Sequence, residues 1–134
     1  MNTCLLSCLI FLTNVFFSIL YGYNILGLLF LLVTISSVYF HSYYTTFSYL
    51  VDQIFVICVI IYGFYLSYLK CLTCAYDEKL LYKFIIASCI LSNFILFHYG
   101  RLYNKFCYDK KYGSYYHSLL HILASISYHV VIIM

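Results

Sequence analysis

Asp52 is the only formally charged side chain between Met1 and Leu69. A stretch of that length with one charge cannot cover a water-facing surface, because soluble domains carry about 25% charged residues. The shortage extends over all 134 residues, of which 8% are charged and 66% hydrophobic. These figures predict an integral, multi-pass membrane protein. Its fold class is all-α, a polytopic membrane helix bundle of about five transmembrane helices in a single domain over residues 1–134. The formal net charge of +3 is too small and too dispersed for a nucleic-acid partner. Trp and Pro are absent, while Tyr, Phe, Ile and Asn are plentiful, a bias that follows AT-rich codons.

The apolar runs set the helices at about residues 4–21, 25–42, 48–69, 80–99 and 115–134. At about 1.5 Å per residue the shortest of these runs is just long enough to span the hydrocarbon core. The first run has no Lys or Arg before it and no small-residue cleavage site, so it reads as a retained helix rather than a signal peptide. Residues 43–47 form a polar, aromatic link, and residues 70–79 and 100–114 read as charged loops. Lys83 sits near enough to a helix end to snorkel.

Within this apolar frame, a few polar residues recur at helical spacing. Ser37 and His41 are four apart, as are His117 and His121, so each pair shares one helix face. Asp52 falls one turn inside the third helix, where a carboxylate is costly and marks a functional site by default. Five alternating spans bring the end of helix two, the start of helix three and the start of helix five to the same leaflet. His41, Asp52, His117 and His121 therefore share a side at similar depth. Residues 100–114 on that side carry four Lys or Arg, against two in residues 70–79, which turns the site toward the cytoplasm.

Three neutral imidazoles, His41, His117 and His121, suit zinc and leave a fourth tetrahedral position for water. Zinc lowers the pKa of such a water to about 7. Asp52 is placed to orient that water or take its proton. Ser37, one turn before His41, is placed to hydrogen-bond the water or the oxyanion of a tetrahedral intermediate. The expected chemistry is metal-assisted hydrolysis of a lipid amide or ester.

Plainer readings compete for each residue taken alone. His98 and His129 read as helix-packing residues; His129 lies roughly 80° round the helix from His121 and more than two turns deeper. Tyr115 and Tyr116 suit an interfacial belt. Cys4, Cys8, Cys58 and Cys89 lie in apolar runs, where Cys acts as a small hydrophobe. Cys71 and Cys74 form a lone CxxC, a weak zinc or redox signal, and Cys107 stands by itself. Membrane desaturases need about eight His, and this chain has five. A bis-His haem on His41 and His121 would leave Asp52 unexplained. An intramembrane serine protease commonly has Gly two residues before its Ser, where this chain has Ile35.

The combined pattern resembles the alkaline ceramidase family, within the superfamily that includes the progestin and adiponectin receptors. That superfamily carries Ser-x-x-x-His late in its second helix, an Asp about eleven residues on, and His-x-x-x-His in its last helix. Ser37-Val-Tyr-Phe-His41, Asp52 and His117-Ser-Leu-Leu-His121 match these elements in order. The resemblance covers residues 25–69 and 115–130. It implies zinc held by His41, His117 and His121, catalytic roles for Ser37 and Asp52, and cleavage of ceramide to sphingosine and a fatty acid. The departures are five helices instead of seven, Gln53 where an acidic residue often follows the Asp, and no match at Met1-Asn2-Thr3 to the family's calcium-binding segment. Two helices fewer keeps His117 and His121 on the same side but removes walls of the lipid cavity. The expected partner is a membrane lipid, ceramide or a related one, with pairing to a second copy as a way to complete the cavity. The alternative is a non-enzymatic multi-pass membrane protein, receptor-like or structural, with a retained or vestigial zinc site.

Overall fold

The computed structural model describes residues 3–73, 76–102 and 113–134. Every element among them is helical: α1 (Thr3–Cys8), α2 (Phe11–Leu20), α3 (Asn24–Tyr43), α4 (Thr46–Thr73), α5 (Tyr76–Leu102) and α6 (Gly113–Ile133). The chain is an all-α bundle. Five spans are long and apolar enough to cross a membrane: Thr3–Leu20, Asn24–Tyr43, Thr46–Thr73, Leu80–Gly100 and Gly113–Ile133.

The first span is broken into α1 and α2 at Leu9 and Ile10. Around the break, backbone bonds run three residues back: Leu9 to Leu6, Ile10 to Ser7, Leu12 to Leu9 and Thr13 to Ile10. This tighter ladder turns the chain without Gly or Pro, and such a stretch inside a helix often marks a functional position. The charged segment expected as a loop over 70–79 is instead largely helix. α4 continues to Thr73 and α5 begins at Tyr76. Extending a helix past the hydrocarbon core keeps its backbone groups bonded and needs no apolar side chains. Of the 100–114 loop, residues 103–112 lie outside the described residues, as do Cys74 and Cys107.

Two connections are built tightly. α2 ends with Gly22 at φ +82; the Gly22 N–H donates to the Ile19 carbonyl and the Tyr23 N–H to that of Ser18. This is the Schellman arrangement, whose left-handed position suits Gly. Between α3 and α4 the link is two residues, Tyr44 and Thr45, where residues 43–47 were expected. Tyr44 adopts the left-handed conformation at φ 48 and bonds back to the Phe40 carbonyl. Thr45 then caps α4: the Ser48 N–H donates to Thr45 Oγ1 and the Thr45 N–H to Ser48 Oγ, each at 3.1 Å. That reciprocal pair satisfies donors that a helix start leaves open.

Packing is inverted relative to a soluble protein. The buried set includes Asn14, Ser18, Ser36, Ser37, His41, Ser48, Asp52, His121 and Ser125, while large apolar side chains such as Phe16, Leu28, Ile61 and Phe94 lie outside. Helices in lipid associate through small residues and interhelical hydrogen bonds rather than by expelling water. Gly27 lets α3 close on Ile19 and Ser18 of α2, and the Tyr128 ring of α6 lies over Gly63 of α4. Tyr128 also donates to the Val59 carbonyl at 2.8 Å and meets Phe30 in a T-shaped pair, 4.8 Å between centroids. α6 is the central helix, touching α1, α2, α4 and α5. α5 packs along α6 and leaves most of its surface outward.

Candidate metal centre

The start of α1, the end of α3, the start of α4 and the start of α6 meet at one end of the bundle. The order of spans explains this, since α3 runs opposite to the other three. His41 lies in the last turn of α3, and His117 and His121 lie in the first turns of α6. Their three rings cluster: centroids are 4.8 Å apart for His41 and His117, 4.8 Å for His117 and His121, and 5.7 Å for His41 and His121. Four-residue spacing makes the α6 pair, and the tight α3–α4 turn holds His41 at the height needed to face it. Phe11 leans on His121 at 5.3 Å and Phe40 on His41 at 4.9 Å between centroids, so aromatic walls flank the imidazoles.

Asp52 enters from α4 and is buried. Ser36 donates to its Oδ1 at 3.0 Å, and Ser37 donates to the same oxygen. Hydrogen bonds of this kind favour a charged carboxylate where hydrocarbon would neutralise it. Ser37 therefore has a nearer task than the one expected of it. Its hydroxyl is given to the carboxylate, and it links Asp52 to the helix turn that carries His41.

The donors available to an ion are more than imidazoles. Two overlapping groups have ligand atoms all within 4.8 Å of one another: Cys4 with His41 and His117, and Cys8 with His41 and His121. A tetrahedral ion with bonds of about 2.0–2.3 Å holds its donors about 3.3–3.8 Å apart. Closing by about 1 Å is within reach of side-chain torsions, so these Cys/His groups could hold a metal ion. The residue types, imidazole nitrogen and thiolate sulfur, suit zinc or another borderline-soft cation rather than magnesium or calcium.

Cys4 and Cys8 were expected to be plain apolar filler; the structure places them in the donor set. Ser7 and Ser36 were not singled out by the sequence. Ser7 Oγ donates to the Cys4 carbonyl at 2.8 Å and lies 2.7 Å from Nδ1 of His121. With its one proton on the carbonyl, Ser7 accepts from Nδ1–H and leaves the lone pair on Nε2 of His121. A signal for the thiols was present: Cys4 and Cys8 have the same four-residue spacing as the other pairs, and the count of spans puts them at the same end.

The remaining His lie apart from this cluster. His129 Nδ1 contacts the Ser125 carbonyl at 2.8 Å and Asn14 Nδ2 at 3.1 Å, and Ser125 Oγ donates to Asn14 Oδ1 at 2.6 Å. This is a buried polar link between α2 and α6, deeper in the bundle. His98 is on the exposed side of α5 against Phe94, 4.2 Å between centroids. No family model matches the chain, and no curated protein or solved structure matches it.

Proposed function

We propose that this chain is a zinc-dependent intramembrane lipid amide hydrolase of ceramidase type. The observation that carries the reading is the meeting of the His41, His117 and His121 rings, with a buried Asp52 hydrogen-bonded by Ser37 one turn before His41. In a helix bundle with such an apolar exterior, four costly polar side chains at one place argue for a function beyond packing. Nothing in the comparisons bears on it; the support is the chemistry of the donor set and the motif spacing that resembles the ceramidases.

In this reading His41, His117 and His121 hold the ion, which would supply Lewis acidity and a water acidic enough to attack a carbonyl near neutral pH. Ser36 and Ser37 fix the Asp52 carboxylate through Oδ1. Oδ2 is then the atom that takes a proton from the attacking water and passes it to the departing amide nitrogen. Phe11 and Phe40 keep the imidazoles in an apolar surround, which strengthens electrostatic interactions there. The substrate is a membrane lipid with an amide bond, ceramide or a close relative.

The test is product release from ceramide by purified chain in detergent or vesicles, with zinc measured in parallel. Release is expected from the wild type and loss of it from His117→Ala and Asp52→Ala. Turnover that survives both changes overturns the assignment. A second reading is favoured by one observation, the presence of Cys4 and Cys8 within the donor groups. Thiolates are typical of closed, structural zinc sites. A non-enzymatic membrane protein stabilised by its metal would bind zinc, lose its fold on chelation and release no product.

A further inference from the structure

In the proposed centre three imidazoles would fill three tetrahedral positions, and α1 brings two thiols into the donor groups that contain them, each thiol with His41 and one of the two α6 imidazoles. Cys4 and Cys8 are one turn apart on the buried face of that helix, both with 0% exposure. A buried Cys is usually a small hydrophobe, but the Cys8 sulfur does not sit among hydrocarbon alone. It belongs to the donor group with His41 and His121, all three of them buried. The Cys4 sulfur belongs to the other donor group, with His41 and the less buried His117, and lies 3.7 Å from the Ser114 carbonyl in the first turn of α6. Position is imposed from both sides. The Cys4 carbonyl receives both the Ser7 hydroxyl and the Cys8 thiol, at 2.8 and 3.1 Å, and the chain turns at Leu9 immediately after.

We propose that Cys8 is a metal ligand, its thiolate taking the fourth position of an ion held by His41, His117 and His121. The inference rests on the metal-centre reading above and not on its hydrolytic step. On binding, the metal–sulfur bond forms, the S–H bond breaks and one proton is released to solvent; no electrons are transferred. A centre with one thiolate and three imidazoles suits zinc or cobalt(II) and disfavours hard cations. It also has a consequence for activity. With Cys8 bound the centre has no position for water, so this form is closed, and hydrolysis needs Cys8 to leave.

The experiment loads the full chain in detergent with cobalt(II) as the probe and compares wild type with Cys8→Ser and with Cys58→Ser, a change at an exposed thiol outside the donor groups. About one cobalt per chain is expected in all three. A near-ultraviolet thiolate-to-cobalt charge-transfer band is expected in wild type and Cys58→Ser and lost in Cys8→Ser. Cobalt bound to wild type without that band, or a band that survives in Cys8→Ser, overturns the assignment while leaving an imidazole-only centre standing. No cobalt in well-folded wild type overturns both. Zinc-edge X-ray absorption of the wild type needs no variant to fold: a sulfur at about 2.3 Å is expected, and a shell of nitrogen and oxygen alone overturns the proposal.

Discussion

Ser7 Oγ lies 2.7 Å from His121 Nδ1, a contact across 114 residues of sequence. It ties the first helix to the last at the end of the bundle where the Cys/His groups could hold a metal ion. Partners of this kind commonly change metal affinity by about 10–100-fold when removed. Ser7→Ala is therefore expected to weaken metal binding by that factor while the helical content stays. Competition against a chelator of known affinity reads the change. An affinity equal to wild type would mean that Ser7 serves packing only.

The carboxylate of Asp52 depends on two hydroxyls from adjacent positions of α3. A hydrogen bond to a charged group contributes about 1.5–3 kcal/mol. Ser36→Ala and Ser37→Ala should each destabilise the protein within that range. The pair of changes together should cost more than their sum, because the charge then loses both hydroxyls and keeps only its contact with Gln53. Asp52→Asn in the doubly substituted background should restore part of the loss. Thermal unfolding in detergent measures all four; strict additivity with no rescue would show that Asp52 is neutral in the folded protein.

Much of this arrangement is legible in the sequence. Apolar length gave the spans, since a membrane segment has to satisfy its own backbone. The spacing of Ser37, His41, His117 and His121, with the alternation of spans, placed them at one end. What stayed hidden depended on contacts between distant residues. The break at Leu9 and Ile10 has no Gly or Pro to announce it. Cys8 looks the same to a hydropathy reading whether it meets Leu or His. The continuation of α4 to Thr73 was concealed because Lys70 reads as loop by charge, although a helix end at the membrane surface accepts charge readily. Ser37 was assigned toward a water because its partner, Asp52 Oδ1, appears only when α3 and α4 are folded against each other.

Gly63 has Tyr128 directly over it, and a Cβ built there has no room without moving the ring. The ring is held in turn by its hydroxyl on the Val59 carbonyl. Gly63→Ala is expected to destabilise by about 1–3 kcal/mol, the usual cost of forcing an added methyl into a packed contact. Tyr128→Phe removes only the hydrogen bond and should cost about 0.5–1.5 kcal/mol. Unfolding midpoints that reverse this order would show that α4 and α6 are not packed closely at Gly63.

At the other end of the bundle, Lys70 Nζ donates to the carbonyls of Val131 and Ile132 at 2.6 and 2.7 Å and lies 4.8 Å from the centroid of Tyr23. These carbonyls belong to the last turn of α6, where the helix has no further N–H to offer and a cation is favoured. Lys70 follows Asp52 by 18 positions on the same helix, a separation of about 27 Å. Lys70→Met keeps most of the apolar stem and removes the charge, so it should cost about 1–3 kcal/mol of stability and leave metal content unchanged. Combined with Ser7→Ala, its effect on stability should add within about 0.5 kcal/mol, because the two sites share no partner. Loss of metal in Lys70→Met would mean that the two ends of α6 are coupled, with its C-terminal cap controlling the position of His117 and His121. Retention of metal with a lowered unfolding midpoint would show that α6 is anchored twice and independently.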